Sequence, residues 1–498
     1  VANPDRLTGL DASFLHLERD DAHMHVGSVM VFEGSAPEYE ELCDLVESRL
    51  HLVPRYRQRL AFVPLQQGRP VWVDDPHFNI GYHVRHTALP RPGTETELRR
   101  LAGRLFSQEL DRDKPLWEIW LVQGFSDDRF ALIAKTHHCL VDGVSGVDIA
   151  TVLFDLEPEP PAVAPPEPWI PRPLPSDAQL LADALVERST VPYEIARGVR
   201  ALTRAPRQAL GGIRDRLAAA GAFALGAIDA PRTSLNVEIG PHRRFTWVDG
   251  DLRRFKAIKD ALGGSVNDVV LTAVSLALGR SLRDRGETVD GLQLKAMVPV
   301  SVRADEQRGA LGNQVAAMWA PLPVGVDDPI ECFAIVHAAM ADLKSSGQAV
   351  GAQVLTQLSG FAPPTIMSQA ARLQARQRAF NLVVTNVPGP QFPLFAKGRR
   401  LLALYPQVPL ASNQALGIAI MSYDGALNFG LIGDYDAMTD LESVADNLAA
   451  AIDELALASG ADGAIGDDGE RPPLGFEMPK TRAGRVRSAR TPSGRRAD

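Results

Sequence analysis

At 498 residues, 45% of them hydrophobic and 23% charged, the chain has apolar material for about two packed domains, and wholesale disorder is excluded. A net charge of −9 excludes bulk attraction to nucleic acid or to an anionic membrane. The three cysteines, Cys43, Cys139 and Cys332, lie far apart with no C-x-x-C between them. Neither a disulfide framework nor a zinc ribbon is supported, and a reducing cytoplasm is the expected compartment.

The opening Val1-Ala2-Asn3-Pro4-Asp5-Arg6 lacks the apolar core of a secretory signal. Residues 1–157 read as a mixed α/β unit. Strands are predicted over 26–32 and 117–122, and helices over 39–50 and 95–110. The apolar stretch Phe130-Ala131-Leu132-Ile133-Ala134 predicts a strand that runs into His137-His138-Cys139-Leu140-Val141-Asp142-Gly143. Beyond it, Ser145-Gly146-Val147-Asp148 has the S-x-x-D form of a capping box and predicts a helix to Leu156.

Composition then changes. Residues 157–175 are dense in proline and read as a linker. Residues 176–230 are expected to be helical, with Arg188, Arg197, Arg200, Arg204, Arg207, Arg214 and Arg216 among apolar neighbours. They read as a connector packed across two domains, or as an amphipathic face resting on lipid. Residues 158–235 are thus assigned to the linker and 236–460 to a second α/β domain. Helices are predicted over 252–262, 265–280 and 329–343, and strands over 294–300, 381–387 and 418–422. The run 217–228 is too short to span a bilayer. The uncharged run 401–423 is interrupted by Pro406, Pro409, Ser412, Asn413 and Gln414, which suits buried strands and turns. Residues 461–498 are expected to be a disordered tail. It carries Lys480, Arg482, Arg485, Arg487, Arg490, Arg495 and Arg496, a solvated run or a weak tether to an anionic surface.

The seven-residue motif holds the chemistry. Imidazole is the side chain suited to general-base work at neutral pH when its pKa is near the ordinary value. Successive residues of an extended segment face opposite sides, so only one of the two histidines points forward. The base is assigned to His138, nearer the turn, and His137 to support of the loop. Asp142 is placed to hold the loop's shape through backbone amides or an arginine, and Gly143 to leave room for substrate. Rival readings are a metal site on His137, His138 and Asp142, a Cys139 nucleophile, and a purely structural histidine pair. The metal site lacks further ligands and no metal is expected; Cys139 has apolar neighbours. No G-x-S-x-G, P-loop or G-x-G-x-x-G occurs, which argues against serine hydrolysis, nucleotide hydrolysis and dinucleotide redox chemistry.

With H-H-x-x-x-D-G at 137–143, the chain resembles the wider acyltransferase superfamily that includes condensation domains and chloramphenicol and carnitine acyltransferases. Further segments narrow the resemblance to the actinobacterial type of bacterial wax ester synthase/diacylglycerol acyltransferase. They include Leu7-Thr8-Gly9-Leu10-Asp11-Ala12-Ser13-Phe14-Leu15, Met24-His25-Val26-Gly27, Pro54-Arg55-Tyr56-Arg57-Gln58-Arg59-Leu60, Trp72-Val73-Asp74-Asp75-Pro76, Pro115-Leu116-Trp117-Glu118, Val266-Asn267-Asp268-Val269, Pro299-Val300-Ser301-Val302-Arg303, Leu311-Gly312-Asn313 and Thr385-Asn386-Val387-Pro388-Gly389-Pro390. The resemblance covers about residues 5–455.

It implies two chloramphenicol-acetyltransferase-like α/β lobes joined by a helical linker, with a channel between them. It also implies acyl transfer from acyl-CoA, as co-substrate with no other cofactor, to diacylglycerol or a long-chain alcohol. His138 would be the base and Asn267 a donor to the oxyanion, although Asn267 also reads as a helix N-cap. Asp268 and Arg303 would support the site, Arg303 as partner of Asp142. Pro115, Leu116 and Trp117 would shape the core or line the acyl channel. The location implied is cytoplasmic, peripheral to a membrane or a lipid droplet, with no nucleic-acid partner. The competing readings are a condensation-type acyltransferase acting on another hydroxyl, an amine or a carrier-bound acyl chain, and a non-catalytic lipid-droplet protein.

Overall fold

The computed structural model describes residues 5–141, 153–160, 168–187, 230–301, 315–345 and 379–461. Helix α1 is Gly9–Leu17, and the Thr8 hydroxyl closes its first turn by accepting the Asp11 N–H at 3.1 Å. Strand β1 is His25–Glu33, and helix α2 is Tyr39–Arg49, entered through a Glu38/Glu41 capping box. Strands β2 (Gln58–Ala61) and β3 (Val71–Asp74) pair as a small hairpin. Then come α3 (Ile80–His83), β4 (Val84–Ala88), α4 (Glu95–Phe106), β5 (Trp117–Phe125) and β6 (Arg129–His137). The later half holds β7 (Arg243–Val248), α5 (Leu252–Leu262), α6 (Val266–Asp284), β8 (Leu294–Ser301), β9 (Val315–Leu322) and α7 (Pro329–Ser345). It closes with β10 (Leu382–Pro388), β11 (Phe395–Ala396), β12 (Arg399–Gln407), β13 (Leu416–Tyr423), β14 (Ala426–Asp434) and α8 (Leu441–Ala458). Of the helix expected over 145–156, residues 145–152 lie outside the described residues; Leu153 is helical, but residues 154–156 are not, and Asp155 instead forms a bridge with Phe395. Residues 188–229 of the linker and the basic tail beyond 461 also lie outside the described residues.

The fold is mixed α/β, built on two six-stranded sheets. The first has the order β11-β12-β1-β6-β5-β4 and the second β7-β14-β13-β10-β8-β9. The second mixes parallel and antiparallel neighbours, because β10 runs parallel to both β13 and β8. The sheets do not follow the chain-order boundary expected between residues 157 and 236. Strand β12 leaves the later half and pairs antiparallel with β1, from Gly27↔Gln407 to Val31↔Ala403.

Cores follow the strand alternation. Val29 and Val31 of β1 pack with Leu98, Ala102 and Phe106 of α4 in a core that continues through the second sheet and its helices. Met30 and Phe32, one residue out of phase, pack instead with Leu42, Val46 and Trp117 on the other face. Helix α4 ends at Phe106, four residues before the sequence expectation. Ser107 is its C-cap: the Ser107 N–H donates to the Gly103 carbonyl at 3.1 Å, and the Ser107 hydroxyl donates to the same carbonyl at 2.7 Å. Among the described residues no single helix is long and apolar enough to cross a membrane. The apolar pair α5–α6 is bent by 98°, and α6 buries its apolar residues in the core.

Where the later half meets β12, glycine is required. A Cβ on Gly430 of β14 would overlap the Pro406 carbonyl oxygen of β12, and a backbone carbonyl cannot yield as a flexible side chain does. Gly430→Ala is therefore expected to lower stability by about 3 kcal/mol or more. Chemical denaturation checks this, and a wild-type midpoint would refute the close approach.

Candidate active site

Strand β6 delivers the motif. Its last residue, His137, pairs across the sheet with His25 of β1. The His137 N–H donates to the Leu116 carbonyl at 2.9 Å, and the His138 N–H donates to the Met24 carbonyl at 2.8 Å. The Leu140 N–H returns to the His137 carbonyl at 2.9 Å and closes the turn. Both histidines are thus held by backbone from two other segments, one just before β1 and one just before β5.

The two rings have different surroundings. The His137 ring is buried. Its Nδ1 accepts the Cys139 N–H at 3.1 Å, which places the ring proton of the neutral form on Nε2. That nitrogen lies 3.3 Å from Glu18 Oε2, at ion-pair distance but off the line of a well-aligned hydrogen bond. Glu18 also accepts the Met24 N–H at 3.0 Å and the Arg112 Nε–H at 3.0 Å. Burial alone would raise the Glu18 carboxyl, but the neighbouring His137 imidazole and the Arg112 guanidinium overcome it and hold the pKa at about 2.

His138 is half-buried and stacks on Phe14 of α1, with ring centroids 3.8 Å apart and planes at 17°. Its Nδ1 is buried and has no well-aligned partner among the described residues. Burial pushes the imidazole down to about 4; its own backbone carbonyl opposes this and the charge of His137 adds to it. The sequence reading expected an imidazole near its ordinary pKa. The crowded surroundings instead keep it uncharged across the neutral range, ready to accept a proton.

Cys139 is buried, and burial, followed by Asp11 and Glu18, pushes its thiol well above the ordinary range. Among the described residues no group of three His, Cys, Asp or Glu side chains is placed to hold a metal. Asp142, Gly143 and Arg303 lie outside the described residues.

Asn267 and Asp268 sit in the first turn of α6. The N-cap alternative for Asn267 is overturned, because Ser265 occupies that position. The Ser265 hydroxyl accepts the Asp268 N–H at 3.3 Å, and Asp268 Oδ2 accepts the Ser265 N–H at 2.9 Å. Asn267 is half-buried; among the described residues no hydrogen bond joins it to either motif histidine. Asp268 is buried, and its Oδ2 also lies 3.0 Å from His337 Nδ1 of α7.

The channel-lining expectation for Pro115, Leu116 and Trp117 is corrected. All three are buried, and Leu116 and Trp117 have no accessible surface. Trp117 stacks on His83 at 4.5 Å and donates its indole N–H to the Tyr56 carbonyl at 2.8 Å. The segment therefore holds β5 and the His137 backbone from inside the core.

Three contributors were given no role at the site by the sequence reading: Phe14, which stands in the segment 7–15, Glu18 and Arg112. Glu18 opens the run Glu18-Arg19-Asp20-Asp21, which looks like any solvated charge cluster. The one local signal was its place just after an apolar helix and just before Met24-His25-Val26-Gly27, a segment already singled out.

Comparison with known proteins places this geometry. Residues 7–270 match the wax ester synthase/diacylglycerol acyltransferase catalytic domain, and residues 311–456 match the C-terminal domain of the same family. The chain belongs to the wax ester synthase/diacylglycerol acyltransferase family. It is 33% identical over 465 residues to the protein of Mycobacterium tuberculosis H37Rv named probable diacylglycerol O-acyltransferase tgs1, covering 91% of this chain and 96% of that one. The structure of the wax ester synthase/diacylglycerol acyltransferase from Marinobacter aquaeolei VT8 superposes with a TM-score of 0.64 at 28% identity, covering 91% of this chain and all of the other. The first condensation domain of the calcium-dependent antibiotic synthetase shares the fold, with a TM-score of 0.54 at 18% identity over 92% of this chain and 97% of that domain.

If the Phe14 ring keeps water from His138, Phe14→Ala should raise the imidazole pKa from about 4 toward 6.5, by roughly one unit or more. A pH titration of the His138 ring protons by NMR, on protein shown to be folded, reads this directly. An unchanged value in the variant would remove Phe14 from the account.

Proposed function

We propose that this chain is an acyl-CoA-dependent O-acyltransferase. It moves a fatty acyl group to the hydroxyl of diacylglycerol, giving triacylglycerol, or of a long-chain alcohol, giving a wax ester. The observation that carries the reading is the uncharged imidazole of the half-buried His138 at the end of β6, in a chain of this family. The printed names of its relatives supply the substrate classes.

In this reading His138 accepts the hydroxyl proton as the alcohol oxygen attacks the thioester carbonyl. With so low a pKa, the imidazole removes the proton only as the new C–O bond forms. When the tetrahedral intermediate collapses, the C–S bond breaks and the weakly held proton passes to the departing CoA sulfur. Base catalysis of this kind is worth about 10²–10⁴-fold. Asn267 is assigned as donor to the oxyanion, since a half-buried amide supplies an N–H without a change of protonation. Asp142 is assigned to the loop, paired with Arg303.

The acceptors are insoluble in water, so the enzyme is assigned to a membrane or droplet surface on the cytoplasmic side. Acyl-CoA is its co-substrate, and no further cofactor enters the scheme. The condensation-type alternative gains nothing beyond the shared fold.

The deciding assay combines purified protein with palmitoyl-CoA and either dioleoylglycerol or hexadecanol, scoring lipid product and free thiol. His138→Ala should lower kcat by about 10²–10⁴-fold while the protein stays folded, and a wild-type rate would sink the base assignment. The thiol nearest the motif histidines, Cys139, is buried and protonated, so the two substrates should meet in a ternary complex. Initial-rate lines should therefore intersect, and turnover should survive a chelator. Parallel lines together with an acyl adduct on the intact protein would overturn direct transfer, and zinc-restored activity would overturn the metal-free scheme.

A further inference from the structure

We propose that Glu18 is a positioning residue for His138, holding the base through His137 and through Met24. The inference rests on the function proposed above and adds to it a residue that touches neither substrate nor the reacting atoms.

Two routes lead from the Glu18 carboxylate to the base. Along the first, Oε1 accepts the Met24 N–H at 3.0 Å, and the Met24 carbonyl accepts the His138 N–H at 2.8 Å. Met24 is gripped at both ends, so the His138 backbone inherits its position from Glu18. Along the second, Oε2 lies 3.3 Å from His137 Nε2. A carboxylate there favours the ring form with its proton on Nε2. That form leaves Nδ1 free to accept the Cys139 N–H at 3.1 Å, and Cys139 directly follows His138. The base is therefore tied at its own amide and at that of the next residue, and both ties depend on Glu18.

The carboxylate itself is fixed. Its side chain is 8% exposed, and Arg112 holds Oε2 through Nε and Nη2. Arg112 stands just ahead of Leu116, whose carbonyl takes the His137 N–H. Loss of the charge at residue 18 would free the His137 ring to turn or to change tautomer, while leaving substrate-binding surfaces in place. A shift of about 1 Å in a catalytic group can cost about 10²-fold.

The test uses the full-length protein with palmitoyl-CoA and dioleoylglycerol, and four variants: E18Q, H137A, the double variant E18Q/H137A, and H138A. E18Q keeps the size of the side chain and removes its charge. Thermal unfolding should show it folded, with kcat lowered roughly 10- to 100-fold and both KM values within about threefold. The double variant should lose little more than the worse single one, because a shared contact cannot be removed twice. A kcat for E18Q within about twofold of wild type, a loss confined to KM, or multiplicative losses in the double variant would overturn the proposal. Should E18Q fail to fold, R112Q decides: its side chain is 40% exposed, and releasing Oε2 should lower kcat several-fold, whereas an unchanged kcat would overturn the proposal. H138A separates the two claims. Wild-type turnover in H138A would overturn the base assignment itself, whereas an inactive H138A beside a fully active E18Q would overturn only the role of Glu18.

Discussion

The site end of the molecule hangs from a buried ammonium group. Lys135 lies on β6 two residues before His137, and therefore on the same face, with 1% of its side chain exposed. Its Nζ donates to the carbonyls of Leu105 at 3.2 Å and Gln108 at 2.8 Å and lies 3.7 Å from Glu118. Desolvation of a charge costs several kcal/mol and is offset only when partners surround it. Here they are the negative pole of α4 and a carboxylate, which together still leave the lysine pKa lowered by burial. His25 adds a second tie, its Nε2 lying 3.1 Å from the Phe106 carbonyl. The C-terminus of α4 is thus clamped to β1 and β6 beside the motif. From α4 the constraint passes to the second sheet, because the Ser107 hydroxyl accepts the Arg243 N–H at 2.8 Å. A Cβ on Gly103 would stand 2.8 Å from the Arg243 carbonyl oxygen. The two sheets are therefore registered through the same helix end that registers the histidines.

This constraint marks what was legible in the chain. Strands such as β1 and helices such as α5 are marked by local periodicity, and the structure returns them within a residue or two of their expected bounds. The end of α4 is only partly local: Ser107 lies within the periodic run, but the groups that hold it and its neighbours, Arg243 and a lysine 29 residues beyond Phe106, do not. The placement of β12 is less local still. The run 401–423 reads as strands and turns, and β12 and β13 lie in it, but nothing in residues 401–407 specifies β1 as their neighbour. The pairing is set by the fit of the Gly430 backbone against Pro406 and by the register from Gly27↔Gln407 onward.

At the site, the motif announced its own chemistry, because adjacent imidazoles at a strand end must face different surroundings. Its partners stayed hidden. Phe14 stands in the segment 7–15 with nothing to mark it as a neighbour of His138, and Glu18 reads as a member of a solvated charge cluster. The misreading of Asn267 is instructive because the signal was present: Ser265-Val266-Asn267-Asp268 has the same S-x-x-D form that was noticed at Ser145–Asp148. The capping box puts Ser265 at the cap and Asp268 at the third helical position, which leaves Asn267 in the first turn with its amide uncommitted among the described residues.

The outcome is a division of labour between neighbours that chemistry alone would treat as equivalent. His137 spends Nδ1 on the Cys139 amide and turns Nε2 to a carboxylate; it is held on every side and has no nitrogen to offer a substrate. Among the described residues no carboxylate is paired with His138, which has an aromatic ring against one face and is half-buried. Acid–base roles separate when environments pull two titratable groups apart. Here the separation begins with strand geometry, which sends the two rings in different directions, and is completed by the residues waiting on each side. In the proposed scheme a higher pKa would make His138 a stronger base but slower to surrender the proton to a departing thiolate. The low pKa that burial gives the imidazole would favour the return step and suits a proton that moves in concert with bond formation at the thioester carbon.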